Sequence, residues 1–340
     1  MLTDCRKAPS ISIILPAYNG LPYIEECVNS VLSQSYQDWE LLISDDGSKD
    51  GTREWLRGFH DRRIRVFEQE ENLGIMGNLN FLFKQAQAPV THILGQDDYF
   101  LNDALSRIVE AWARQPADIG FIRFNWNDRC IGRKTLAPFI LKAIPERVDP
   151  KDSDLYFFIF GCFVGNISNI SVRTQLIECC GGFNQELPYA GDMDFWTRLA
   201  RRFSLHLSAE NVSYVRVHPG QASKYLNRKG ELIHQLREIL VDLHARLAGR
   251  VPPRLFKLHA TLTYDALQRD VGVKMLLLRR ESTYLSRVNA AARDNPALFG
   301  IMGCWIVFLL SLGGRVGRGL SARLMLWAVR NRNSGGEHQS

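Results

Sequence analysis

Short apolar runs alternate with helical patterns over the first 125 residues, and this alternation constrains the fold more than any other feature. The run ISIILPA at 11–17 is typical of a buried parallel strand, and the LPYIEECVNSVLSQ that follows repeats apolar residues at helical spacing. Further strands are predicted at WELLIS, IRVFE, THILG and IGFIRF, with helices between them. The alternation predicts a Rossmann-like α/β fold, with a mainly parallel sheet covered by helices on both faces.

Polar clusters follow predicted strands at one end of this sheet. They lie at Pro16 to Asn19, Asp45 to Ser48 and Gln96 to Asp98. A single acidic pair indicates little, because Asp is common in turns for its local backbone hydrogen bonds. Ligands of open parallel sheets, however, bind outside the carboxyl ends of the strands. The convergence of the clusters therefore predicts a binding cleft at this edge.

The residues at this edge indicate which class of ligand the cleft binds. No G-x-G-x-x-G follows the first predicted strand and there is no G-x-x-x-x-G-K-[ST], which argues against a dinucleotide dehydrogenase and a P-loop enzyme. The edge offers carboxylates instead, which repel a diphosphate unless a divalent cation bridges the two. We therefore expect a metal-dependent site for a nucleotide diphosphate.

The most specific pattern is a set of ordered blocks between about Pro9 and Tyr225. In chain order they read SIILPAYNGLPYIEECVNSVLSQSYQDWELLISDDGSKDGT, ENLGIMGNLN followed by ILGQDD, GGFNQELPYAGDMDFWTRLA, and VRVHPGQAS. They resemble the family 2 glycosyltransferases, which have the GT-A fold. The resemblance implies an inverting transfer of a sugar from a nucleotide-diphosphate donor, with a UDP-sugar favoured and Mn²⁺ or Mg²⁺ as cofactor. A glycan or lipid-linked acceptor in cell-envelope polysaccharide synthesis is also expected, because it would suit contact of the C-terminal third with a membrane.

The resemblance also implies nucleotide-binding roles for single residues. Pro16 and Tyr18 match the loop that packs on the base, and Asp46 matches the residue that recognises the base edge. Asn80 is expected to line the donor pocket, with a structural role in its helix as the alternative.

The acidic motif of that family maps onto Gln96, Asp97 and Asp98. The resemblance implies that Asp98 coordinates the metal and that Asp97 reaches the ribose or the ion indirectly. His218 matches a metal- or diphosphate-binding histidine of several relatives, with an ordinary turn residue as the alternative. Gln96 is neutral where the family usually has an acid, so one fewer negative charge faces the diphosphate.

A general base must take the proton of the acceptor hydroxyl as it attacks the anomeric carbon. The block AGDMDFW matches the one that supplies this base, with Asp192 at the decisive position and Gly191 where the family often has Glu. Charge stabilisation of a helix N-terminus is the alternative for both acids and the favoured role for Asp194. Arg216 is expected on a solvated face.

We predict a catalytic domain at 1–225 and a basic helical region at 226–340, where residues 234–340 hold 16 Lys and Arg against 7 Asp and Glu. No recognition-helix pattern accompanies this charge, so nucleic acid is not an expected partner. The stretch 295–314 is 20 residues without a charge, and arginines flank it on both sides. It is expected to lie in the inner leaflet, while a membrane span and a buried helix remain alternatives.

The N-terminus lacks an apolar signal region, so we expect a cytoplasmic enzyme at the inner face of the membrane. Two other functions remain open. One is a nucleotidyltransferase on a related fold, which has no need of the base in AGDMD. The other is a non-catalytic nucleotide-sugar-binding protein or membrane scaffold.

Overall fold

The computed structural model describes residues 9–127, 138–218 and 230–336. They form two compact units. The N-terminal unit contains the described residues up to 153 together with 162–218, and the C-terminal unit contains 154–161 and 230–336. The domain boundary predicted after residue 225 lies outside the described residues. The segment 154–161, which we assigned to the catalytic domain, belongs to the C-terminal unit because its apolar residues pack there, with the Phe158 ring 3.7 Å from that of Phe256.

The strands of the described residues lie in the N-terminal unit. They are β1 (Ile11–Ala17), β2 (Trp39–Asp45), β3 (Ile64–Glu68), β4 (Val90–Ile93), β5 (Tyr99–Phe100), β6 (Ile119–Arg123), β7 (Arg147–Val148), β8 (Ile170–Arg173), β9 (Ser204–Leu207) and β10 (Ser213–Tyr214). The helices are α1 (Tyr23–Leu32), α2 (Thr52–Leu56), α3 (Gly74–Gln85), α4 (Ala104–Ala113), α5 (Pro138–Ala143), α6 (Pro150–Phe160, whose second half lies in the other unit), α7 (Gln175–Cys179) and α8 (Gly191–Ala200).

Eight of the described strands form one sheet in the order β3-β2-β1-β4-β8-β6-β9-β7. Strands β3, β2, β1 and β4 are parallel neighbours, which confirms the predicted alternation. Strand β8 is antiparallel to both β4 and β6. A separate antiparallel pair, β5 with β10, joins the segment after the acidic motif to the one before His218.

The core explains why β1 and β2 are continuous apolar runs. Every residue of both strands is buried, as expected for parallel strands covered on both faces. Ile13 and Leu15 of β1 belong to the same buried cluster as Ile24 and Val28 of α1. This packing fixes the carboxyl ends of β1, β2 and β4, where the predicted polar clusters begin.

The C-terminal unit is helical in its described residues. Its helices are α9 (Glu231–Arg246), α10 (Pro253–Ala260), a π-helical turn (Thr261–Asp265), α11 (Ala266–Arg279), α12 (Thr283–Arg293), α13 (Gly300–Leu310) and α14 (Arg318–Gly336). A buried ion pair, Arg269 with Asp265 at 2.8 Å, lies in this unit.

The uncharged stretch 295–314 contains a helix of only 11 residues, α13. Left-handed backbone at Leu312, Gly313 and Gly314 follows that helix, with φ of 51°, 71° and 78°. No described helix is both long and apolar enough to cross a bilayer.

Candidate active site

The loops after β1 and β2 are joined by hydrogen bonds at the edge of the sheet. The backbone N–H of Asn19 donates to the Ser48 hydroxyl at 2.8 Å, and that of Gly20 donates to the Thr52 hydroxyl at 2.8 Å. Tyr18 is 46% exposed beside these bonds, while Pro16 is buried within β1. Of the two residues predicted to pack on the base, Tyr18 is therefore the one with an accessible side chain.

The two adjacent acids that end β2 have different partners. Asp45 is fully buried, and its Oδ2 accepts from the Arg53 guanidinium at 2.8 Å and from the Ser48 N–H at 3.2 Å. Asp46 accepts instead from the Leu73 N–H at 2.7 Å, directly before α3. Burial raises the pKa of the Asp46 carboxyl. The predicted base-recognising residue thus also ties α3 to the end of β2.

Asp98 lies beneath the surface of the acidic motif and is 3% exposed. Its Oδ2 accepts from the Ser168 hydroxyl at 2.5 Å, and its Oδ1 accepts from the Arg216 N–H at 3.0 Å. Burial raises the pKa of Asp98 to about 6, although these two hydrogen bonds act in the opposite direction. Both oxygens of the predicted metal ligand therefore have protein donors.

Asp97 lies closer to the surface and faces His218. Oδ2 of Asp97 is 3.2 Å from Nε2 of His218, and the two side chains are 28% and 12% exposed. The His218 ring lies 4.5 Å from the ring of Tyr23, measured between centroids. The structure thus brings His218 next to the acidic motif of Asp97 and Asp98, which lies far earlier in the sequence.

Arg216 organises this cluster, although we expected it on a solvated face. Its side chain is only 14% exposed and forms an ion pair with Glu26. Its guanidinium donates to the backbone oxygen of Asp97 at 2.7 Å and lies 4.8 Å from the centroid of the Tyr99 ring. The basic side chain is buried because it neutralises and orders the acidic loop.

Gln96 pairs with the backbone of Tyr18. The Tyr18 N–H donates to Oε1 of Gln96 at 2.9 Å, and Nε2 of Gln96 donates to the Tyr18 carbonyl at 2.9 Å. These bonds connect the loop after β1 to the acidic motif.

Asp192 lies in the first turn of α8 and is half-buried. Its Oδ1 accepts from the Met193 N–H at 2.7 Å, and its Oδ2 lies 3.9 Å from the thiol of Cys162. Burial raises the pKa of Asp192, which makes this carboxylate a stronger base. Asp194 is held instead by Arg198, with Oδ2 2.7 Å from the guanidinium. The two acids of the block therefore have different partners.

One short segment links the two acidic regions of the site. Cys162 contacts Asp192, and Ser168, six residues later, donates to Asp98. Between them the chain turns back on itself, since the Gly165 N–H donates to the Cys162 carbonyl at 3.0 Å. Gly165 adopts φ of 75°, a left-handed conformation that glycine tolerates best.

Asn80 bonds to the backbone of Phe183, which favours the structural alternative over a place in the donor pocket. Its Nδ2 donates to the Phe183 carbonyl at 2.8 Å, and its Oδ1 accepts from the Phe183 N–H at 2.8 Å. Both polar atoms of the carboxamide are thereby engaged with the backbone that leads into α8.

The sequence did not reveal Ser168 or Cys162 as members of the site. Ser168 acts on a motif 70 residues earlier in the chain, and Cys162 on an acid 30 residues later. A serine in an apolar strand-like stretch and a lone cysteine carry no local pattern, so only the fold shows their partners.

Comparisons with known proteins identify the family that part of this chain matches and the fold that it shares. Residues 12–170 match the model of the family described as Glycosyl transferase family 2. The Escherichia coli protein WfgD, named UDP-Glc:alpha-D-GlcNAc-diphosphoundecaprenol beta-1,3-glucosyltransferase, is 34% identical over 131 residues, which are 38% of this chain and 51% of WfgD. WfaP of the same species, named for the same reaction, is 26% identical over 246 residues, which are 70% of this chain and 89% of WfaP.

The chain spans about half the length of several curated relatives that it matches, 47% of one and 42% of another. Among solved structures, S. aureus TarS 1–349 in complex with UDP-GlcNAc superimposes with a TM-score of 0.60 at 18% identity. The match covers 96% of this chain and 92% of that chain, which shows a shared fold. Residues 12–170 of this chain therefore form a family 2 glycosyltransferase domain of the GT-A fold.

Proposed function

We propose that this chain is a glycosyltransferase that moves a hexose or an N-acetylhexosamine from a UDP-sugar to a glycan or lipid-linked acceptor of the cell envelope, with inversion at the anomeric carbon. The observation that carries the proposal is Asp192. It is a half-buried carboxylate whose partners are a backbone N–H and a thiol. The names of two relatives, WfgD and WfaP, describe transfer from UDP-Glc to a diphosphoundecaprenol-linked GlcNAc, and they support a lipid-linked acceptor.

The donor would be held at the carboxyl edge of the sheet. Tyr18, with an exposed ring, would pack on the base, and Asp46 would accept from the base edge with the oxygen that does not accept from Leu73. Asp97 and its neighbours would face the diphosphate, as ligands of parallel sheets bind at this edge.

The donor atoms of the site fit a divalent metal that arrives with a diphosphate. The described residues contain no group of three or more His, Cys, Asp or Glu side chains that could hold an ion by themselves. Asp97 and His218, however, present an oxygen and a nitrogen 3.2 Å apart. Mg²⁺ is commonly held by one or two carboxylates together with substrate phosphates, and Mn²⁺ accepts similar ligands.

We therefore propose Asp97 and His218 as the protein ligands of the metal. Asp98 would join them only by giving up the bond from Ser168 or from Arg216. A bound divalent ion would supply charge neutralisation of the diphosphate leaving group.

Asp192 would act on the acceptor. Its carboxylate removes the proton of the acceptor hydroxyl, the hydroxyl oxygen bonds to the anomeric carbon, and the bond from that carbon to the diphosphate breaks with release of UDP. The raised pKa of Asp192 brings the base closer to the operating pH. Because attack and departure occur on opposite faces, the configuration inverts.

Release of UDP tests the proposal most simply. The purified chain is incubated with UDP-glucose, UDP-galactose, UDP-GlcNAc or UDP-GalNAc and a short-chain polyprenyl-diphosphate-linked GlcNAc, with Mn²⁺ or with EDTA. We expect acceptor-dependent UDP release from at least one donor, which EDTA suppresses. Equal UDP release with and without every lipid-linked and free glycan acceptor would refute the transfer reaction.

A further inference from the structure

The C-terminal unit exposes large apolar side chains in one part of its sequence. Ten large apolar side chains of the described residues are more than half exposed, and all of them lie between Leu277 and Trp327. In the N-terminal unit the most exposed such side chain is Tyr18, at 46%. Several large apolar side chains exposed in one region are typical of an interaction surface.

The exposed residues follow helical spacing on two successive helices. On α13 they are Met302, Ile306 and Leu309, and on α14 they are Leu320, Leu324 and Trp327. Both triplets recur at intervals of four and three residues, which places each on one face. The opposite faces are anchored in protein, since Cys304 and Met325 are fully buried. We call these two exposed faces the apolar stripe.

The charge around the apolar stripe indicates which partner binds to it. Residues 295–336 contain five arginines and no aspartate or glutamate. Arg315, between the two helices, and Arg323, on α14, are exposed. A second copy of this chain would bring arginines against arginines, whereas an anionic lipid surface complements both the apolar side chains and their charged border.

We propose that the apolar stripe docks on the surface of an anionic lipid bilayer, with α13 and α14 lying in the plane of the interface. A helix of 11 residues is about 16 Å long, roughly half the hydrocarbon thickness, so α13 lies in the membrane surface and does not span it. Trp327 is suited to the headgroup level. The proposal deepens the proposed function, because a lipid-linked acceptor is reached at such a surface, but its test requires no catalysis.

Vesicle co-sedimentation of the full chain tests the docking. The probes are vesicles of phosphatidylglycerol with phosphatidylethanolamine and vesicles of phosphatidylcholine alone. We expect binding to the anionic vesicles that weakens with salt, and a loss of about tenfold or more in the R315E/R323E and L309S/L320S variants. The R62E/R114E variant changes the same charge on the N-terminal unit and should bind like the wild type.

Three outcomes would overturn the docking proposal. The wild type fails to sediment with anionic vesicles, or all three variants sediment like the wild type. In the third, the chain is a dimer by light scattering that L309S/L320S converts to a monomer while vesicle binding is absent. In that case the apolar stripe is a contact between copies.

A second inference concerns Gln96 and is carried by the amide pairing with Tyr18. The backbone of Tyr18 fixes the orientation of the Gln96 carboxamide, because its N–H donates a hydrogen bond and its carbonyl accepts one. A Cβ added at Gly20 would lie 2.7 Å from Oε1 of Gln96, so the missing side chain of Gly20 admits this close approach. Asp or Glu at position 96 would accept from the Tyr18 N–H but would oppose the Tyr18 carbonyl with a negative oxygen.

We infer that Gln96 is a positioning residue that fixes the Tyr18 loop against the acidic motif. Its neutral amide makes both bonds and adds no charge next to Asp97. The inference rests on the proposed nucleotide site, because the role of Gln96 would be to preorganise the loop that binds the base.

Calorimetric titration with UDP, together with donor kinetics, tests this role. Q96E should weaken UDP binding by about tenfold, and Q96M should weaken it by less. Effects of this size are expected for one or two lost hydrogen bonds. The donor KM should rise in parallel, while kcat at saturating donor and the melting midpoint stay near the wild-type values. Q115E, which adds a charge at a glutamine near the end of α4, serves as the control.

UDP binding by Q96E and Q96M at wild-type affinity would overturn the inference. So would a loss of kcat and of melting midpoint without a change in UDP affinity, because that pattern indicates a merely structural glutamine. A wild-type chain that does not bind UDP would refute the proposed nucleotide site and this inference with it.

Discussion

Ser168 donates a hydrogen bond of 2.5 Å to Oδ2 of Asp98, and its hydroxyl oxygen also accepts from the Gly95 N–H at 2.9 Å. The backbone carbonyl of Ser168 lies 3.0 Å from Nε2 of the buried His92. A segment far along the chain thereby supports the acidic motif from beneath. This support explains how a carboxylate that is 3% exposed is held in place, although no lysine or arginine side chain of the described residues bonds to it.

The buried Asp98 should lower the free energy of unfolding at neutral and alkaline pH. Its native pKa of about 6 exceeds the unfolded value of about 3.9, so the native state binds this proton more tightly. Stability from this group is therefore present at low pH and is lost as the pH rises through about 4 to 6. The loss amounts to about 2–3 kcal/mol at pH 8.

Asp98→Asn should remove this pH dependence, because the amide keeps an acceptor for the Arg216 N–H and carries no charge. In EDTA we expect the variant to melt about 5 °C above the wild type at pH 8, with little difference at pH 5. Thermal melts across this range measure the gap. A variant that melts below the wild type by the same margin at every pH would contradict the assigned cause.

The two acids of the motif should differ in metal dependence. If Asp97 and His218 are the protein ligands, Asp97→Asn and His218→Ala should abolish the rise in melting midpoint that Mn²⁺ causes in the presence of UDP. Asp98→Asn should retain at least part of it. If Asp98→Asn loses the rise in melting midpoint that Mn²⁺ causes and Asp97→Asn keeps it, Asp98 is the metal ligand, as the family resemblance implies.

Cys162 should tune the pH dependence of turnover through Asp192. Its thiol donates to the carboxylate and thereby lowers the pKa that burial raises. Cys162→Ala should move the acidic limb of the kcat profile to higher pH, and Cys162→Ser, with a stronger donor, should move it to lower pH. If the acidic limb moves in the same direction in both variants, the hydrogen bond from Cys162 does not control the pKa of Asp192.

Asn80 should stabilise the fold without contacting the donor. Asn80→Asp loses the donor to the Phe183 carbonyl and should lower the free energy of unfolding by about 1–3 kcal/mol. UDP affinity should be unchanged, with chemical denaturation and UDP titration as the two measurements. Weaker UDP binding at an unchanged stability would instead place Asn80 in the donor pocket.

The parts of the fold that follow local patterning could be predicted from the sequence. Strands β1 and β2 are continuous apolar runs because both of their faces are buried, and α1 repeats Ile24, Cys27, Val28 and Val31 on its buried side. The antiparallel insertion of β8 between β4 and β6 could not be predicted, because pairing direction depends on contacts between distant segments.

The same limit applies to the site. The carboxylates Asp46, Asp98 and Asp192 stood out as acids within ordered blocks, but their partners Leu73, Ser168 and Cys162 carry no such pattern. Arg216 was misjudged because a basic residue in a polar stretch is usually solvated, whereas here it crosses to Glu26, 190 residues earlier.

The central claim is that Asp192 is the base of a sugar transfer, and turnover by Asp192→Asn tests it most directly. Asp194→Asn, which changes the neighbouring acid that pairs with Arg198, is the matched control. We predict that Asp192→Asn binds UDP like the wild type and loses at least about a hundredfold in kcat, while the control keeps most of its activity. Wild-type kcat in Asp192→Asn, at saturating donor and acceptor, would contradict the claim.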